Sequence, residues 1–497
     1  MIRPVILLFL LVLVLCGLSF LDIVLHNQEL SLQGSSRRVS KPSSRLRQGT
    51  DNIKSSQVEQ SSSTSAAIQN YTTWDCHASR WAVATTILEV NSAVKHLVQA
   101  FSTPPDNRTR ENYDADFCLV VVGDLKTNHS EWENFVQTVY AEQGGTGSPS
   151  VVYLSPARQK VLPYKIVQYI PWNHFGRKSI GMMYAIHHGA KLIYDFDDDN
   201  HLLYQSFDKA LASMQTVYSI ETKHHVFNPY PYFQSTHENK RTHVWPRGFP
   251  LQFINDKNTY LSDLIVQGSS EASDDAAAPI TSKFSDLAVI QSLANHDPDV
   301  DAVYRMTRQL PVYFERKNCV LRQSPGTFIP FNAQATLFRP DAFFGVLLPI
   351  TVTGRTSDIW RSYILQRILW ETDKRVGFSS PIVAQYRNPH SYMKDFEDED
   401  DVYRKVDLLL KLLATWTNGF NSLDKAYLDL ITLLVDNRIF QPKERDLAVA
   451  WVEDLAAVGY QWPIISNRQS PFTPLDAPIV DERDFVPAEV LIRYRIR

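Results

Sequence analysis

Cysteine is scarce in this chain, which leaves little room for disulfide or zinc chemistry. The 497 residues include four cysteines, and no Cys/His spacing predicts a zinc site. Cys16 lies in an apolar run near the start, so the other three can form at most one bridge. Cys118 lies within the apolar run Phe117–Val122, which favours a buried thiol. Whether Cys76 pairs with Cys319 stays open.

The chain also lacks an excess of positive charge. It has 50 basic and 54 acidic residues, a net charge of −4, and no strongly basic part in its folded region. Nothing in this balance calls for a nucleic-acid partner. A hydrophobic fraction of 44% indicates that most of the chain is globular, and its length allows two to four domains.

Two segments near the start are defined by missing residue types. Residues 5–21 carry no charge, and the apolar run extends to residue 25 with one aspartate. We expect a cytoplasmic tail over 1–4 and a transmembrane signal anchor over 5–25, because this run is long enough to span a bilayer. A cleaved signal peptide is the alternative, but its apolar core is usually about 7–15 residues. Residues 26–70 contain no aromatic residue, which predicts a disordered Ser-rich stem over 26–75.

Three sequons support a lumenal location for the rest of the chain. They begin at Asn70, Asn107 and Asn128, and each is a weak signal alone. A large domain that follows a single N-terminal anchor usually translocates. The expected topology is therefore type II, with the folded part in the lumen.

Apolar runs and helical patterns alternate after residue 75. Strands are predicted over 81–87, 117–122, 151–154 and 190–194, and helices over 91–101 and 174–188. This order predicts an α/β fold with a mostly parallel sheet and flanking helices, here placed at 76–400. Three amphipathic helices, at 402–416, 422–436 and 442–457, predict a C-terminal helical extension over 401–497.

An acidic cluster follows the strand at 190–194. Residues 194–200 read Tyr-Asp-Phe-Asp-Asp-Asp-Asn. Carboxylates at the carboxyl end of a parallel strand lie where ligands bind in open α/β sheets. They repel one another unless a cation lies among them, and Mn²⁺ or Mg²⁺ holding a diphosphate suits such oxygen ligands. An acidic surface turn is the alternative.

The motifs around this cluster resemble those of GT-A glycosyltransferases. In that fold a helix start rich in Asn and Gly precedes a helix, a strand and an Asp-X-Asp motif; here the corresponding segments are 173–181 and 195–199, with Ser179 where many members have Asn. Further blocks resemble the STELLO family of Golgi glycosyltransferase-like proteins. These blocks are 227–233, 245–251, 293–302, 331–335 and 357–363. The family's plant members are associated with cellulose synthase complexes, but no residue pattern here shows that partner.

The resemblance implies roles at the donor site. In the GT-A fold the nucleotide and its phosphates would contact Thr85, Thr86, Asp124, Arg177, Lys178 and Asp197. The metal would be held by Asp197, Asp199 and His390. Asp195 is a weaker candidate ligand. For the two threonines and Asp124, the alternative is capping of turns at the strand ends. For Arg177 and Lys178 it is a solvated helix face, and for His390 it is a structural turn.

The resemblance also implies roles on the acceptor side. Asp358 matches the acidic motif that opens a helix in inverting enzymes, where a carboxylate acts as the base. Its alternative is an N-cap of a helix over 359–371. Trp245 and Arg247 are candidate acceptor contacts because an aromatic face suits a sugar ring; packing beneath a Pro-rich loop is the alternative.

These expectations combine into one hypothesis. The chain is expected to be a Golgi membrane glycosyltransferase that transfers a sugar, expected to be a UDP-linked hexose, to a hydroxyl of a glycan or polysaccharide, with inversion. A GT-A fold kept as a non-catalytic scaffold for a polysaccharide synthase is the first alternative. A metal-dependent phosphoesterase is the second, and it would need more histidine ligands near the acidic cluster.

Overall fold

The computed structural model describes residues 75–104, 116–145, 148–235, 243–260, 265–267, 284–387 and 390–466. Strands and helices alternate over its first part, and helices dominate the last. The strands are β1 (Arg80–Thr86), β2 (Phe117–Gly123), β3 (Val151–Leu154), β4 (Leu192–Phe196), β5 (Asn200–Leu202), β6 (Thr216–Ile220), β7 (Ile265–Gln267), β8 (Leu287–His296), β9 (Cys319–Arg322), β10 (Ala335–Phe338) and β11 (Arg375–Gln385).

Helices flank this sheet and form the C-terminal layer. They are α1 (Ser92–Phe101), α2 (His129–Glu142), α3 (Pro156–Lys160), α4 (Ile166–Tyr169), α5 (Lys178–His187), α6 (Phe207–Ala212), α7 (Tyr230–Phe233), α8 (Ala302–Thr307), α9 (Gly354–Leu369), α10 (Tyr392–Asp398), α11 (Asp400–Thr415), α12 (Leu423–Asp436) and α13 (Lys443–Ala457). A short 3₁₀ turn, Phe175–Arg177, leads into α5.

The strands form one sheet in the order β3-β2-β1-β4-β10-β8-β11-β9-β6-β7, with β5 beside β11. Strands β1 to β4 are parallel, β10 is antiparallel to both of its neighbours, and β8 is parallel to β11. The predicted α/β class with a largely parallel central sheet is confirmed. The carboxyl ends of β1, β2 and β4 share one edge, and the acidic cluster follows β4 there.

Helix α5 lies unusually close to the sheet. A Cβ at Gly181 would stand 2.7 Å from Val122 Cγ2 and 2.8 Å from Val83 Cγ1. Only glycine fits this position, and it lets the helix backbone rest on β1 and β2. Gly189 follows the helix with a φ of +90°, as expected of a glycine C-cap. This packing places the start of α5 beneath the acidic cluster.

The C-terminal helices pack on the same core as the sheet. Arg367 of α9 donates hydrogen bonds to the carbonyls of Leu413 and Trp416, at 2.9 and 2.8 Å. Trp451 of α13 donates to the carbonyl of Phe344 at 2.7 Å. The three helices predicted here are confirmed to within two residues at each end.

One bridge joins Cys76 to Cys118, with Cα atoms 6.1 Å apart, and Cys319 is a buried free thiol. The interpretation of Cys118 as an unpaired core thiol was wrong. Residue 118 is fully buried, as expected, but β1 pairs with β2 so that Trp81 lies opposite Cys118. The segment just before β1 therefore brings Cys76 against β2.

The predicted anchor over 5–25, most of the stem over 26–75, and the sequon residues Asn70 and Asn107 lie outside the described residues. Within the part of the chain that the structure describes, no helix is long and apolar enough to cross a bilayer. Asn128 is described, and it lies exposed at the N-terminus of α2.

Candidate functional site

The acidic cluster forms a tight turn at the edge of the sheet. The amide of Asn200 donates to the carbonyl of Asp197 at 3.1 Å, which closes the turn immediately after β4. The amide of Asp197 in turn donates to the carbonyl of Gln334 at 3.2 Å, beside β10. The turn is thereby fixed between two strands, and its three aspartates are half-buried. We call residues 197–199 the acidic turn.

Asp195, two residues earlier, is a buried and neutralised carboxylate. One of its oxygens lies 2.6 Å from Lys178 Nζ, and the other lies 2.9 Å from Arg361 Nη1. All three side chains are almost completely buried. Asp195, Lys178 and Arg361 form a buried ion cluster, and a metal at Asp195 would have to displace both cations. Lys178 also lies 3.3 Å from Asp197, so it connects the buried ion cluster to the acidic turn.

The acidic turn itself has few positive partners. Asp197 has Lys178, and Asp199 accepts hydrogen bonds from the neutral amide of Gln385 at 3.1 and 3.2 Å. Burial, together with the charges of Asp199 and Asp195, raises the pKa of Asp197 to about 7 despite the opposing charge of Lys178. Crowding of this kind favours a bound cation.

Asp198 faces the first strand. Its carboxylate accepts a hydrogen bond from the Thr86 hydroxyl, and Asn91 donates to its backbone carbonyl at 2.7 Å. Burial raises the pKa of Asp198 to about 6. Thr86 thus binds the acidic turn in this state. Its neighbour Thr85 donates to the carbonyl of Val122 at 3.0 Å.

Asp124 holds the loop that leads into α5. Its carboxylate accepts hydrogen bonds from the amides of Asn173 and His174, at 2.8 and 3.2 Å, and from that of Leu125 at 2.7 Å. Asn173 has a φ of +55°, a conformation that needs such support. The structure therefore uses Asp124 to position a wall of the cavity.

Arg177 is fully buried and directed into the fold. It donates to Gln159 Oε1 and to the carbonyl of Ile170, and its guanidinium lies 3.5 Å from the ring centre of Trp172. Burial lowers its pKa to about 10. Of the two basic residues predicted at the donor site, Lys178 reaches the acidic turn, and Arg177 supports the loop.

A cavity of about 930 Å³ opens beside the acidic turn. Asp197 and Asp358, the predicted metal ligand and the predicted base, both line it. The other lining residues come from the loop before α5, the segment around residue 247, the segment after β8, the segments around β10 and β11, the loop and start of α9, and the C-terminal helices: His174, Phe175, Arg247, Asp299, Asn332, Gln334, Ile350, Thr351, Val352, Thr353, Gly354, Arg355, Arg387, Asp398, Asp401, Gln441 and Lys443.

Arg247 joins two carboxylates at the cavity wall. It is bidentate to Asp299, at 2.9 and 2.8 Å, and bidentate to Asp358, at 3.0 Å for both bonds. Burial would raise the pKa of Asp299, but Arg247 holds it well below its usual range. Asp358 also accepts from the amides of Ala333 and Ile359. Its four acceptor positions are therefore filled in this state.

Helix α9 begins at Gly354 and not at residue 359, so the N-cap alternative for Asp358 was wrong. The preceding loop reaches the cavity and supplies the helix start, with Thr353 at the N-cap position. Ser357 donates to the carbonyl of Pro349 at 2.7 Å. Asp358 lies one turn inside the helix, facing Arg247.

Trp245 and His390 lie away from the cavity lining. Trp245 is 1% exposed, donates to Asp301 Oδ2 at 2.7 Å and packs against Tyr304. His390 Nε2 lies 2.9 Å from Asp395 Oδ2. The structure thus brings Arg247 and Asp358 to the cavity and places Trp245 in the core.

The acidic turn suits a hard divalent cation. Asp197 and Asp199 offer carboxylate oxygens, which Mn²⁺ and Mg²⁺ prefer, and the charge repulsion described above would be relieved by a cation. Among the described residues, no group of three or more His, Cys, Asp or Glu side chains could hold a metal by itself. A metal here would therefore need oxygens from a ligand or from water.

The sequence matches named relatives. The family profile of the STELLO glycosyltransferases matches residues 355–484. The chain is 30% identical over 360 residues to a protein named "Probable glycosyltransferase STELLO1" of Arabidopsis thaliana, and 31% identical over 360 residues to "Probable glycosyltransferase STELLO2" of the same plant. The chain belongs to the STELLO family. Each match spans 68% of this chain and 43% of the relative, so the chain covers less than half the length of these proteins.

Several residues at this STELLO-family site were not predicted. Gln385 and Gln334 bind the acidic turn, Arg361 neutralises Asp195, and Arg387 lies 3.7 Å from Asp299. The segment 357–363 was singled out, and it contains Arg361. The block 331–335 was also singled out, and it contains Gln334, but nothing in the local sequence marks Gln385, because its role depends on strand pairing far along the chain.

Proposed function

We propose that this STELLO-family chain is a metal-dependent glycosyltransferase. It transfers a hexose from a UDP-linked donor to a hydroxyl of a glycan or polysaccharide acceptor. The observation that carries the proposal is the single cavity that Asp197 and Asp358 both line, at the carboxyl end of a parallel sheet. The names of the relatives support the same activity.

The donor side of the proposal rests on the acidic turn. Asp197 and Asp199 would hold Mn²⁺ or Mg²⁺, which supplies a Lewis acid for the leaving diphosphate. Lys178 Nζ lies 2.6 Å from Asp195 and 3.3 Å from Asp197, so it holds the two carboxylates close together. Thr86 orders the turn through Asp198, and the nucleoside would lie along the ends of β1 and β2.

The acceptor side rests on Asp358. For inversion, a base must face the acceptor hydroxyl opposite the leaving group. All four acceptor positions of Asp358 are filled, so the acceptor hydroxyl must replace one donor, either Arg247 or the amide of Ala333. The freed carboxylate oxygen would then take the hydroxyl proton.

The proposed setting is the Golgi membrane, in type II topology with the site in the lumen. The apolar run over 5–25, the exposed sequon at Asn128 and the bridge between Cys76 and Cys118 support it, because disulfides persist in oxidising compartments.

Calorimetry of UDP binding in the presence of Mn²⁺ tests the donor site. Asp199→Ala should lower UDP affinity by at least about tenfold, because a charged metal ligand is lost. Asp436→Ala is the matched control, since its carboxylate pairs with Arg445 on the surface at 2.7 Å. Equal UDP affinity in the Asp199 and Asp436 variants would refute the proposal.

Asp358→Asn tests the base. Transfer should fall by about 10²- to 10⁴-fold while UDP affinity stays within about twofold of the wild type, because the base acts in the chemical step. Thermal unfolding should accompany the assay, since the substitution also weakens a buried ion pair. A folded variant that still transfers sugar at the wild-type rate would remove Asp358 from the mechanism.

The saturation of Asp358 favours a second candidate function, a GT-A fold that serves as a scaffold for a polysaccharide synthase. A carboxylate used only for structure is expected to have every acceptor position filled. This candidate predicts no UDP binding with Mn²⁺ in the wild type, whereas the transferase predicts binding that depends on Asp199.

A further inference from the structure

Beside the acidic turn lies a row of four aromatic rings that the proposed donor and base sites do not use. The ring of Tyr386 lies 4.4 Å from that of His296 and 5.5 Å from that of His201, and Tyr313 lies 6.5 Å beyond His296. We call these four residues the aromatic row. Tyr386 is 54% exposed, although tyrosine rings gain stability from burial.

The aromatic row is built by strand register. Ala384 of β11 pairs with His201 of β5, and Gln385 pairs with His296 of β8. His201 and His296 therefore lie on the two strands beside the end of β11, and Tyr386 follows β11 directly, so the three rings meet at the same end of the sheet. Since β-sheet register is fixed by many hydrogen bonds, the row is a constructed feature and not a chance exposure of one ring.

His296 is held in an unusual conformation. Its φ is +75°, which is uncommon for a residue with a side chain, and its backbone exchanges two hydrogen bonds of 2.8 Å with Val312. Its ring nitrogen Nδ1 lies 3.2 Å from the carbonyl of Gln385. Such conformations are strained and persist where the surroundings enforce them. The ring of His296 is thereby fixed against Tyr386.

The acidic turn separates this row from the nucleotide side. On one side of the turn, Thr86 at the end of β1 contacts Asp198. On the other side, Gln385 at the end of β11 contacts Asp199, and Tyr386 is the next residue along the chain. Arg387, one residue further, lines the cavity. The aromatic row therefore lies on the side of the acidic turn away from β1.

We propose that the aromatic row is the acceptor subsite and that it binds a neutral oligosaccharide by stacking. This inference rests on the proposed function and deepens it. The apolar C–H face of a pyranose ring fits an exposed aromatic face, whereas the row carries no carboxylate or guanidinium for a charged sugar. The acidic neighbours Asp197 and Asp199 also disfavour an anionic chain here.

Saturation-transfer NMR and calorimetry on the full-length chain test the subsite without turnover. The probes are maltohexaose, cellohexaose and xylohexaose. We expect at least one to bind, with saturation strongest on its axial C–H protons. Tyr386→Ala should weaken that binding about fivefold to tenfold, because the stacking face is lost, while Tyr386→Phe should keep it within about twofold.

Tyr392→Ala is the matched control. Tyr392 is 39% exposed on α10 and contacts His390, outside the row. The proposal is overturned if none of the probes binds, or if Tyr386→Ala and Tyr392→Ala have equal effects. It is also overturned if Tyr386→Ala weakens UDP binding with Mn²⁺ as much as it weakens oligosaccharide binding.

The outcomes separate this inference from the proposed function. If Asp199→Ala leaves UDP affinity unchanged while Tyr386→Ala still weakens oligosaccharide binding, the transferase proposal fails and the carbohydrate subsite stands. If the reverse holds, the donor site stands and the subsite fails.

Discussion

The buried ion cluster around Asp195 and the acidic turn are neighbours in sequence and opposites in electrostatics. In the ion cluster, Asp195 has two buried cations within 2.9 Å. In the turn, Asp197 shares one of these cations at 3.3 Å, and Asp199 accepts hydrogen bonds from the neutral amide of Gln385. The difference shows that neighbouring aspartates in one motif can have different roles. The carboxylate that is fully paired stabilises the fold, and those that are not remain available to a cation.

The sharpest test of this comparison removes the negative charge of Asp195 in one variant and that of Asp199 in another. Asp195→Asn should destabilise the protein by about 3–5 kcal/mol, because Arg361 would lose its buried carboxylate and Lys178 would lose the nearer of its two. Asp199→Asn should change stability by less than about 1 kcal/mol, because it loses contacts with one neutral amide. Urea denaturation measures both, and equal losses would show that the turn is structural as well.

Glu444 extends the comparison to a buried carboxylate that is held by backbone amides. Its oxygens accept hydrogen bonds from the amides of Ile350 and Thr351, at 2.9 to 3.2 Å, so α13 holds a loop that lines the cavity. Burial raises its pKa from 4.5 to about 7. The folded state therefore keeps a proton on Glu444 over a pH range in which the unfolded state has lost it.

It follows that the contribution of Glu444 to stability is largest below about pH 4.5 and is lost as pH rises through about 7. The loss is roughly 3 kcal/mol at most. In Glu444→Gln this part of the pH dependence should disappear. The measurement is the free energy of unfolding of both proteins across that range. Parallel pH profiles for the two proteins would contradict the assignment.

A smaller effect than that of Glu444 is expected at Asp301, whose pKa burial raises to about 7. Trp245 donates to this carboxylate at 2.7 Å. Trp245→Phe should cost about 1–2 kcal/mol of stability, because one buried hydrogen bond is lost. It should leave oligosaccharide affinity unchanged, since Trp245 is buried. A selective loss of oligosaccharide affinity without destabilisation would restore Trp245 as an acceptor contact.

Sequence patterns predicted the helices and strands well where these depend on residues that are neighbours in sequence. Strand β3 was predicted to the residue, and the helices α11 to α13 to within two residues, because short apolar runs and helical periodicity are properties of neighbours in sequence. The start of α9 was missed by five residues. Its first turn, Gly354 to Asp358, has little apolar character, so periodicity could not extend the helix there.

The site was predicted only in part, because its motifs are local in sequence and its contacts are not. Asp197 and Asp358 were selected from motifs, and both line the cavity. The partners that decide their roles come from distant segments: Gln385 lies 186 residues after Asp199, and Arg247 lies 111 residues before Asp358. Pairing across such separations is set by sheet topology and helix packing, which a single sequence does not reveal.

Helix α9 connects the cavity at the edge of the sheet to the C-terminal helices. Near its N-terminal end Asp358 lines the cavity and Arg361 pairs with the buried Asp195; near its C-terminal end Arg367 donates to the carbonyls of Leu413 and Trp416 at the end of α11. The helix has 16 residues, so it is a rod about 24 Å long. Its close packing leaves it little freedom to bend, so a tilt imposed on the C-terminal helices would be transmitted to the carboxylate that faces the acceptor.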